Sequence, residues 1–296
     1  MLIKEKLKDT HTFSEIEKCI AQYILNINLN IKKESVRHIA EHTYTSPSSV
    51  MRFCQKLGFE GYVDFREAYI QEIEYLSSHF QDIDANFPFQ PNDKNVVIAN
   101  KIGILYEETI KDTLALIHHD TLQQAANMLE KAKNIYVCSS GASKDIAKVF
   151  KDNMLKIGKT VISYHNTSDI YYEACFQDQT SCFIIISYSG ETSRAVRVAQ
   201  KLKERHIPMI AITSYGHNTV TNLCECCLYI STRQKLITNL GNFSINLSIL
   251  YILDILYANC FHFHYQKYLS DKIKYSQEME IDRKSDNPIL KDDLIE

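Results

Sequence analysis

The stretch SCFIIISYSGETSRAV, residues 181–196, contains one complete step of the fold. Its first seven residues are almost all apolar, which is typical of a strand buried on both faces of a sheet. A polar turn around Gly190 follows, and the apolar residues after it have helical spacing. Runs of the same kind at 134–138, 160–163, 208–213 and 226–230 also alternate with helical stretches. This alternation predicts an α/β domain, in which helices cover both faces of an open parallel sheet.

The residues before position 77 show a helical pattern without strand-like runs. Apolar residues recur at intervals of three and four between Phe13 and Ile27, and Ser14 with Glu17 has the spacing of a capping box. A second helix is predicted at 35–41. Pro47 is placed for the first turn of a third helix, with Ser46 as its N-cap. Three helices with a tight turn between the last two predict a small all-α helix-turn-helix domain.

The two patterns divide the chain into parts. We predict the helical domain at 1–76, a linker at 77–104, the α/β domain at 105–262 and a mobile C-terminal tail at 263–296. The longest apolar stretch, Ile245 to Ala258, is shorter than the ~20 residues that cross a bilayer. It predicts a buried helix in the core or in a subunit interface.

The composition excludes several classes of protein. The 296 residues are 45% hydrophobic and 23% charged, close to globular averages, so a disordered or collagen-like chain is excluded. The net charge of −3 excludes a grossly basic nucleic-acid binder, although a local basic face is still allowed. The N-terminus has no apolar leader, and nine cysteines, an odd number, are typical of reduced thiols. We therefore expect a soluble cytoplasmic protein.

The third helix of the N-terminal domain is the predicted recognition helix for DNA. Between residues 31 and 58 there are five Lys and Arg side chains against two Glu, so this part is locally basic. Hydroxyls at a helix N-terminus can approach phosphates, and the longer side chains can reach bases or backbone. The predicted DNA-binding residues are Ser46, Ser48, Ser49, Arg52, Gln55 and Lys56. From spacing alone, a helical packing module with a solvated polar face is an equal alternative.

Two glycine-containing loops form the predicted ligand site of the α/β domain. Gly141 follows the first strand and Gly190 follows the third, and both stand where a parallel strand turns into a helix. Ligands of open α/β sheets bind at these strand ends, where helix N-termini favour anions. The hydroxyls beside the glycines suit a phosphate, although they could serve only as helix caps. Neither loop contains the GxGxxG or GxxxxGK[ST] motif of nucleotide sites, and we expect no cofactor.

Weaker patterns do not predict a metal site. Cys224, Cys226 and Cys227 form one cluster, and His262 with His264 form another, but neither has the second pair of ligands typical of zinc sites. We expect structural thiols and surface or packing histidines, and no metal.

Residues 39–68, IAEHTYTSPSSVMRFCQKLGFEGYVDFREA, resemble the N-terminal domain of the MurR/RpiR family of bacterial transcriptional regulators. The resemblance lies in Val50 to Cys54 and in the sequence from Lys56 to Tyr62. One departure is Tyr44, which stands where the family turn usually has a small residue, often glycine. If this position needs a positive φ, the tyrosine is strained.

Residues from Leu105 to Tyr257 are similar to a SIS (sugar isomerase) domain, with the SxSGxT sequence at 187–192 as the most specific element. The resemblance implies a flavodoxin-like α/β sandwich whose loops bind the phosphate of a phosphosugar. By resemblance, hydroxyls hold the phosphate, glycines allow close backbone approach and Tyr188 lines the site. The implied sugar-phosphate-binding residues are Ser140, Gly141, Ser143, Ser187, Tyr188, Ser189, Gly190 and Thr192.

The main hypothesis is therefore a transcriptional regulator, not an enzyme, that binds operator DNA and responds to a phosphosugar as a homodimer or homotetramer. The first alternative is a sugar-phosphate isomerase with an accessory helical domain. Its general base has only nominal candidates, Glu173, Glu191, His165 and His217. The second alternative is a helical interaction module on a ligand-binding domain without DNA contact.

Overall fold

The computed structural model describes residues 3–8, 10–78, 83–164 and 167–280. The N-terminal domain is all-α, as predicted. Its helices are α1 (Ile3–Lys8), α2 (Glu15–Ile27), α3 (Val36–His42), α4 (Pro47–Lys56) and α5 (Tyr62–Ser78). Their core includes apolar side chains of α4, among them Val50 and Phe53.

The predicted caps of this domain are present. The Glu17 backbone N–H donates to the Ser14 hydroxyl at 3.4 Å, and the Ser14 N–H donates to the Glu17 carboxylate at 2.7 Å. Ser46 caps α4 by accepting from the Ser49 N–H at 3.1 Å, and Pro47 occupies the first turn. The capping box and the serine-proline start were therefore readable from local sequence.

Helix α1 was not predicted, because a residue far along the chain holds it in place. The N–H groups of Ile3 and Lys4 donate to the buried carboxylate of Glu72 on α5, at 2.5 and 2.7 Å. Burial raises the pKa of Glu72, and the two N–H donors oppose that rise. A six-residue helix has little stability of its own, so this long-range cap and the packing of Leu7 maintain it.

The C-terminal domain contains a five-stranded parallel sheet, which confirms the predicted α/β class. The strands are β1 (Asn134–Cys138), β2 (Val161–Ser163), β3 (Ser181–Ile186), β4 (Met209–Ser214) and β5 (Cys226–Ile230). Their order in the sheet is β2-β1-β3-β4-β5, and all neighbours pair in parallel. This is the flavodoxin-like order, in which the strand order reverses between β1 and β3.

Helices cover both faces of the sheet, and β3 shows how the two cores form. Cys182, Ile184 and Ile186 point into one core, and Phe183 and Ile185 point into the other. The first core contains residues of α7 (His119–Lys131), α8 (Ser143–Leu155) and α12 (Phe243–Phe263). The second contains residues of α9 (Thr167–Phe176), α10 (Ser193–Glu204) and α11 (Thr219–Leu223).

Helix α12 confirms the final apolar helix that the sequence predicts at about 240–262, and it contains the whole stretch from Ile245 to Ala258. Its 21 residues make it the one helix in the described ranges that is long and apolar enough to cross a membrane by length and composition. Eight of its residues are buried, including Ile249, Ile252 and Leu256, which pack in the core beneath the sheet. The buried Ser244 hydroxyl accepts from Thr109 of α6 (Asn95–Ala115) at 2.8 Å, so this helix has a protein environment on that side.

Two helices cross the predicted division of the chain. Helix α6 begins at Asn95, before the predicted end of the linker at 104, and α13 (Tyr265–Met279) lies inside the predicted tail, 263–296. Tyr268 of α13 is buried against the α12 core, with its ring centroid 5.9 Å from that of Phe261. One buried aromatic residue gives the polar helix a packing site that its charge pattern did not reveal. The rest of the predicted tail, 281–296, lies outside the described residues.

Candidate functional site

The two predicted ligand loops lie side by side at the point where the strand order reverses. Cys138 at the end of β1 pairs with Ile185 near the end of β3, so the loops that follow these strands leave the same edge of the sheet. The β1–α8 loop contains Ser140, Gly141 and Ser143. The β3–α10 loop comprises residues 187–192. Crevices at such reversals are the usual ligand sites of open parallel sheets.

Neither of the helices that follow these loops has a side-chain N-cap among the described residues. The N-cap of α8 is Ala142, which has no polar side chain, and no side chain among the described residues caps α10 at Thr192. The Thr192 hydroxyl instead accepts from the Ser187 hydroxyl at 3.1 Å. At the start of α8, the N–H groups of Lys144 and Asp145 donate to the carbonyls of Gly141 and Ala142 at 3.2 and 3.0 Å. The positive end of the helix dipole still favours an anion at both helix starts.

Most of the predicted phosphate ligands are accessible or near the surface. Ser140, Gly141 and Thr192 are exposed, and Ser143 and Ser189 are partly exposed. Ser187 is buried at the end of β3, where only its hydroxyl extends toward Thr192. Ser189 accepts from the Glu191 N–H at 3.2 Å, which fixes the turn.

Gly190 cannot be replaced without moving a neighbour. Its φ is +66°, a left-handed conformation that side chains disfavour, and an added Cβ would overlap the carboxamide of Asn218. Asn218 caps α11 by accepting from the Thr221 N–H at 3.0 Å and donates to the Thr213 hydroxyl at 3.1 Å. The β4–α11 loop is therefore packed directly against the predicted phosphate loop.

Tyr188 and Glu191 are engaged with other parts of the domain. The Tyr188 hydroxyl donates to the backbone carbonyl of Gln234 at 2.6 Å, and burial raises the pKa of this tyrosine. The Glu191 carboxylate accepts from the Thr219 hydroxyl at 2.6 Å and from its N–H at 2.8 Å. These hydrogen bonds lower the pKa of Glu191, so the carboxylate serves as an anionic cap of α11.

The candidate DNA surface is the exposed side of α4. Ser48, Arg52, Gln55 and Lys56 are exposed there, and Ser49 is partly exposed. Ser46 is exposed as well, but its hydroxyl is occupied in the cap of α4. Arg52 stands near the middle of the helix, while Val50, Phe53 and Cys54 are buried on its other side.

Lys56 has partners inside the domain. Its ammonium donates to the Thr12 carbonyl and to the Glu17 carboxylate, both at 2.8 Å, and lies 5.5 Å from the Phe13 ring centre. The Lys56 hydrogen bond lowers the pKa of Glu17. This side chain joins α4 to the start of α2, a role that the sequence did not indicate.

The turn between α3 and α4 has the strain expected from the sequence. Tyr44 has a φ of +52°, the left-handed conformation, and its side chain is 98% exposed. Among the described residues, little packs against this side chain to compensate for its conformation.

The N-terminal domain contacts the α/β domain beside the ligand loops. Phe59 packs edge-on against His217 of the β4–α11 loop, with ring centroids 5.6 Å apart. Partial burial and, second, the nearby Lys6 ammonium lower the pKa of His217. His217 also directly precedes Asn218, the residue that contacts Gly190.

The three nominal catalytic bases that lie in the described residues each contact a different part of the protein. The Glu173 carboxylate accepts from the Tyr164 hydroxyl at 2.5 Å and from the Gln177 amide at 2.8 Å. Glu191 caps α11, His217 packs against Phe59, and His165 lies outside the described residues. In the described ranges, no group of three His, Cys, Asp or Glu side chains has the arrangement of a metal site.

Comparison with known families agrees with this architecture. Residues 1–75 match the model described as the helix-turn-helix domain of the rpiR family, and residues 128–258 match the SIS domain. The chain joins an rpiR-family helix-turn-helix domain to a SIS domain. The two matches include α4 and both ligand loops, so the predicted recognition helix and the phosphate loops each lie within a recognised domain.

Individual relatives match most of the chain or its C-terminal part. A protein of Caldanaerobacter subterraneus subsp. tengcongensis, named as an uncharacterized HTH-type transcriptional regulator, is 27% identical over 267 residues, 89% of this chain and 90% of its own. The structure of Vibrio vulnificus NanR in complex with ManNAc-6P has a TM-score of 0.60 and 23% identity, covering 94% of this chain and 98% of its own. The sugar isomerase domain of an RpiR transcription factor from Sphaerobacter thermophilus has a TM-score of 0.52 and 15% identity, covering 60% of this chain and 98% of its own.

Two residues important for the site geometry were not predicted. Asn218 begins the sequence NTVT after β4, which fits a capping box and could have indicated a helix start. Gln234 lies in a loop without any motif, and only the fold brings it to Tyr188.

Proposed function

We propose that this protein is a transcriptional regulator that binds operator DNA through α4 and senses a phosphosugar in its SIS domain, controlling genes of carbohydrate metabolism. The observation that carries the proposal is the pair of hydroxyl-rich loops that lie side by side at two helix starts, in a chain that also contains a helix-turn-helix. The names of the relatives and the ManNAc-6P bound to NanR support the same reading.

In the DNA-binding part of the proposal, α4 enters the major groove. Arg52, Ser48 and Gln55 are exposed and reach bases or phosphates, and Ser49 approaches the backbone at the helix start. Ser46 contributes through the cap. Lys56 acts mainly through its contacts with Glu17 and Thr12, which hold α4 at its angle to α2.

In the sensing part of the proposal, the phosphate lies at the starts of α8 and α10, where the helix dipoles favour an anion. The hydroxyls of Ser140, Ser143, Ser189 and Thr192 complete its shell, with Ser187 behind them. Gly141 and Gly190, both at positive φ, let the backbone approach the anion. Tyr188 lies at the edge of this site.

The protein acts in the cytoplasm as a homodimer or homotetramer. Two-fold symmetry would place two recognition helices about one helical turn of DNA, ~34 Å, apart on a pseudo-palindromic operator. Size-exclusion chromatography with light scattering gives the mass directly. A monomeric mass at micromolar concentration would contradict the proposed two-fold symmetric assembly.

DNA binding is tested with duplexes selected from a random library by the purified protein. Arg52→Ala should weaken binding to the selected duplex by about 1–3 kcal/mol if the side chain pairs with a base. Arg197→Ala, which removes an exposed arginine of α10, serves as the control and should bind like the wild type. Equal binding by both variants would remove α4 from the DNA interface.

Sensing is tested by thermal unfolding with a panel of hexose phosphates, including ManNAc-6P, and their unphosphorylated parents. A ligand at 100 times its Kd should stabilise the protein by ~2.7 kcal/mol. Ser189→Ala combined with Thr192→Ala should abolish that gain, whereas Ser270→Ala on the surface of α13 should retain it. Turnover of a phosphosugar by the purified wild type would instead favour the isomerase alternative.

A further inference from the structure

The segment that connects the two domains is docked on a single loop of the SIS domain. Residues 83–86, here called the interdomain segment, hydrogen-bond to residues 231–242, the β5–α12 loop. Arg233 donates to the Ile83 carbonyl at 2.8 Å, and Asn86 accepts from the N–H groups of Lys235 at 2.7 Å and Leu240 at 2.9 Å. Movement of the β5–α12 loop therefore moves the chain that leads to the helix-turn-helix domain.

Gln234 is the centre of this junction. Its side-chain amide donates to the Ala85 carbonyl at 2.8 Å and to the Gly241 carbonyl at 2.7 Å. Its side-chain oxygen accepts from the N–H of Ile245, near the start of α12, at 3.1 Å. The residue is only 5% exposed, so water does not easily replace these bonds. One buried side chain thus joins the interdomain segment, its own loop and the core helix.

The same residue contacts the phosphate loop. The Tyr188 hydroxyl donates to the Gln234 backbone carbonyl at 2.6 Å. The Tyr188 backbone is held on the other side, because its carbonyl accepts from the Ser214 N–H at 3.0 Å. Tyr188 lies between Ser187 and Ser189, so a change in the conformation of residues 187–192 displaces its ring. The displacement then reaches Gln234 through a hydrogen bond between two side-by-side loops.

We infer that Gln234 is a positioning residue that transmits occupancy of the phosphate loop, through Tyr188, to the interdomain segment. This inference rests on the proposed function. A ligand changes DNA affinity only if it interacts differently with two arrangements of the protein. The two arrangements differ in how the β5–α12 loop holds residues 83–86, and Gln234 makes the bonds that distinguish them.

The test compares Gln234→Met with the wild type in the full-length protein. Methionine has nearly the same shape but lacks all three side-chain hydrogen bonds. The matched control is Asn239→Ala, an amide on the same loop whose Nδ2 donates to the Lys235 carbonyl at 2.7 Å and does not contact residues 83–86. The probe is an equimolar mixture of ManNAc-6P, glucose 6-phosphate, fructose 6-phosphate and ribose 5-phosphate.

The measured quantity is the ratio of DNA affinities with and without the mixture, together with the midpoint of the sugar titration. The wild type and Asn239→Ala should show a ratio of about 5–150, and Gln234→Met a ratio of about 1. Gln234→Met should still bind the sugar mixture, as shown by a sugar titration that saturates. Its melting temperature should fall whichever role the residue has, because three buried hydrogen bonds are lost. A merely structural role would lower the melting temperature and leave the response of DNA affinity to the sugar intact.

The outcomes separate the inference from the proposed function. If the mixture does not change the DNA affinity of the wild type, both the inference and the proposed function are overturned. If the wild type and Gln234→Met respond equally to the mixture, only the inference about Gln234 is overturned.

Hydrogen exchange of the wild type keeps the inference testable if Gln234→Met does not fold. The amides of Lys235 and Leu240, which donate to Asn86, should change their exchange rates when the sugar mixture is added, while the amides of α13 should not. Unchanged rates at positions 235 and 240 in a protein that responds to the mixture would overturn the inference.

Discussion

Replacing Gly190 by alanine tests the packing of the phosphate loop against the β4–α11 loop. A left-handed conformation costs an alanine roughly 1–2 kcal/mol, and the lower entropy of the unfolded chain returns about 0.4–1 kcal/mol. The new Cβ also displaces the Asn218 carboxamide, which loses its cap of α11 and its bond to Thr213. A cap and a buried hydrogen bond are each worth about 1 kcal/mol. Gly190→Ala should therefore cost about 3 kcal/mol of unfolding free energy.

Gly158→Ala is the matched control. Gly158 also has a positive φ, +74°, but an added Cβ meets no atom within 4 Å, so only the backbone term of about 1 kcal/mol applies. Urea unfolding followed by circular dichroism gives both costs. In a double-mutant cycle, Asn218→Ala should remove most of the extra cost of Gly190→Ala. Equal costs at the two glycines would refute the proposed contact between the loops.

Three further predictions concern the N-terminal domain and its contact with the SIS domain. Tyr44→Gly should stabilise the protein by about 0.5–1 kcal/mol, because relief of the left-handed strain exceeds the entropy cost of glycine. Tyr44→Ala should change stability little. Equal melting temperatures for the two variants would contradict this prediction. Arg52→Ala should lower the slope of log K against log salt by about 1 if the side chain contacts a phosphate, measured by fluorescence anisotropy; an unchanged slope together with reduced affinity would indicate a base contact instead. Because the pKa of His217 is lowered in the folded protein, the unfolded chain takes up a proton at a higher pH, so stability should fall as the pH drops through about 6.5. His217→Asn should flatten this dependence in thermal melts between about pH 7.5 and 5.5. An equally steep profile for the variant would assign the dependence to other groups.

Local sequence was sufficient to predict most elements of the fold. The ends of the five strands lie within one residue of their predicted positions, because a short continuous apolar run bounded by turns is typical of a buried strand. The start of α4 was readable from Ser46 and Pro47. Helices α1 and α13 could not be predicted from local sequence. The first depends on Glu72, which lies far away in the chain, and the second depends on the packing of Tyr268 against another helix.

The ligand loops could be placed from sequence, but their surroundings could not. A glycine and hydroxyls after a buried strand predict where a phosphate loop begins, since strand ends and helix starts are local features. The neighbours of that loop, Asn218 and Gln234, come from other strand ends, and only the sheet order brings them together. For the same reason the sequence assigned Lys56 to DNA, while the fold joins it to Glu17.

The most direct test of the proposed function is one linked titration of wild-type protein on its selected duplex. The DNA affinity is measured by anisotropy at increasing concentrations of the phosphosugar that raises the melting temperature, with its unphosphorylated parent as the control. We predict a saturable change of about 5–150-fold in affinity, with the parent sugar inert. A phosphosugar that binds the protein and leaves its DNA affinity unchanged would contradict the account.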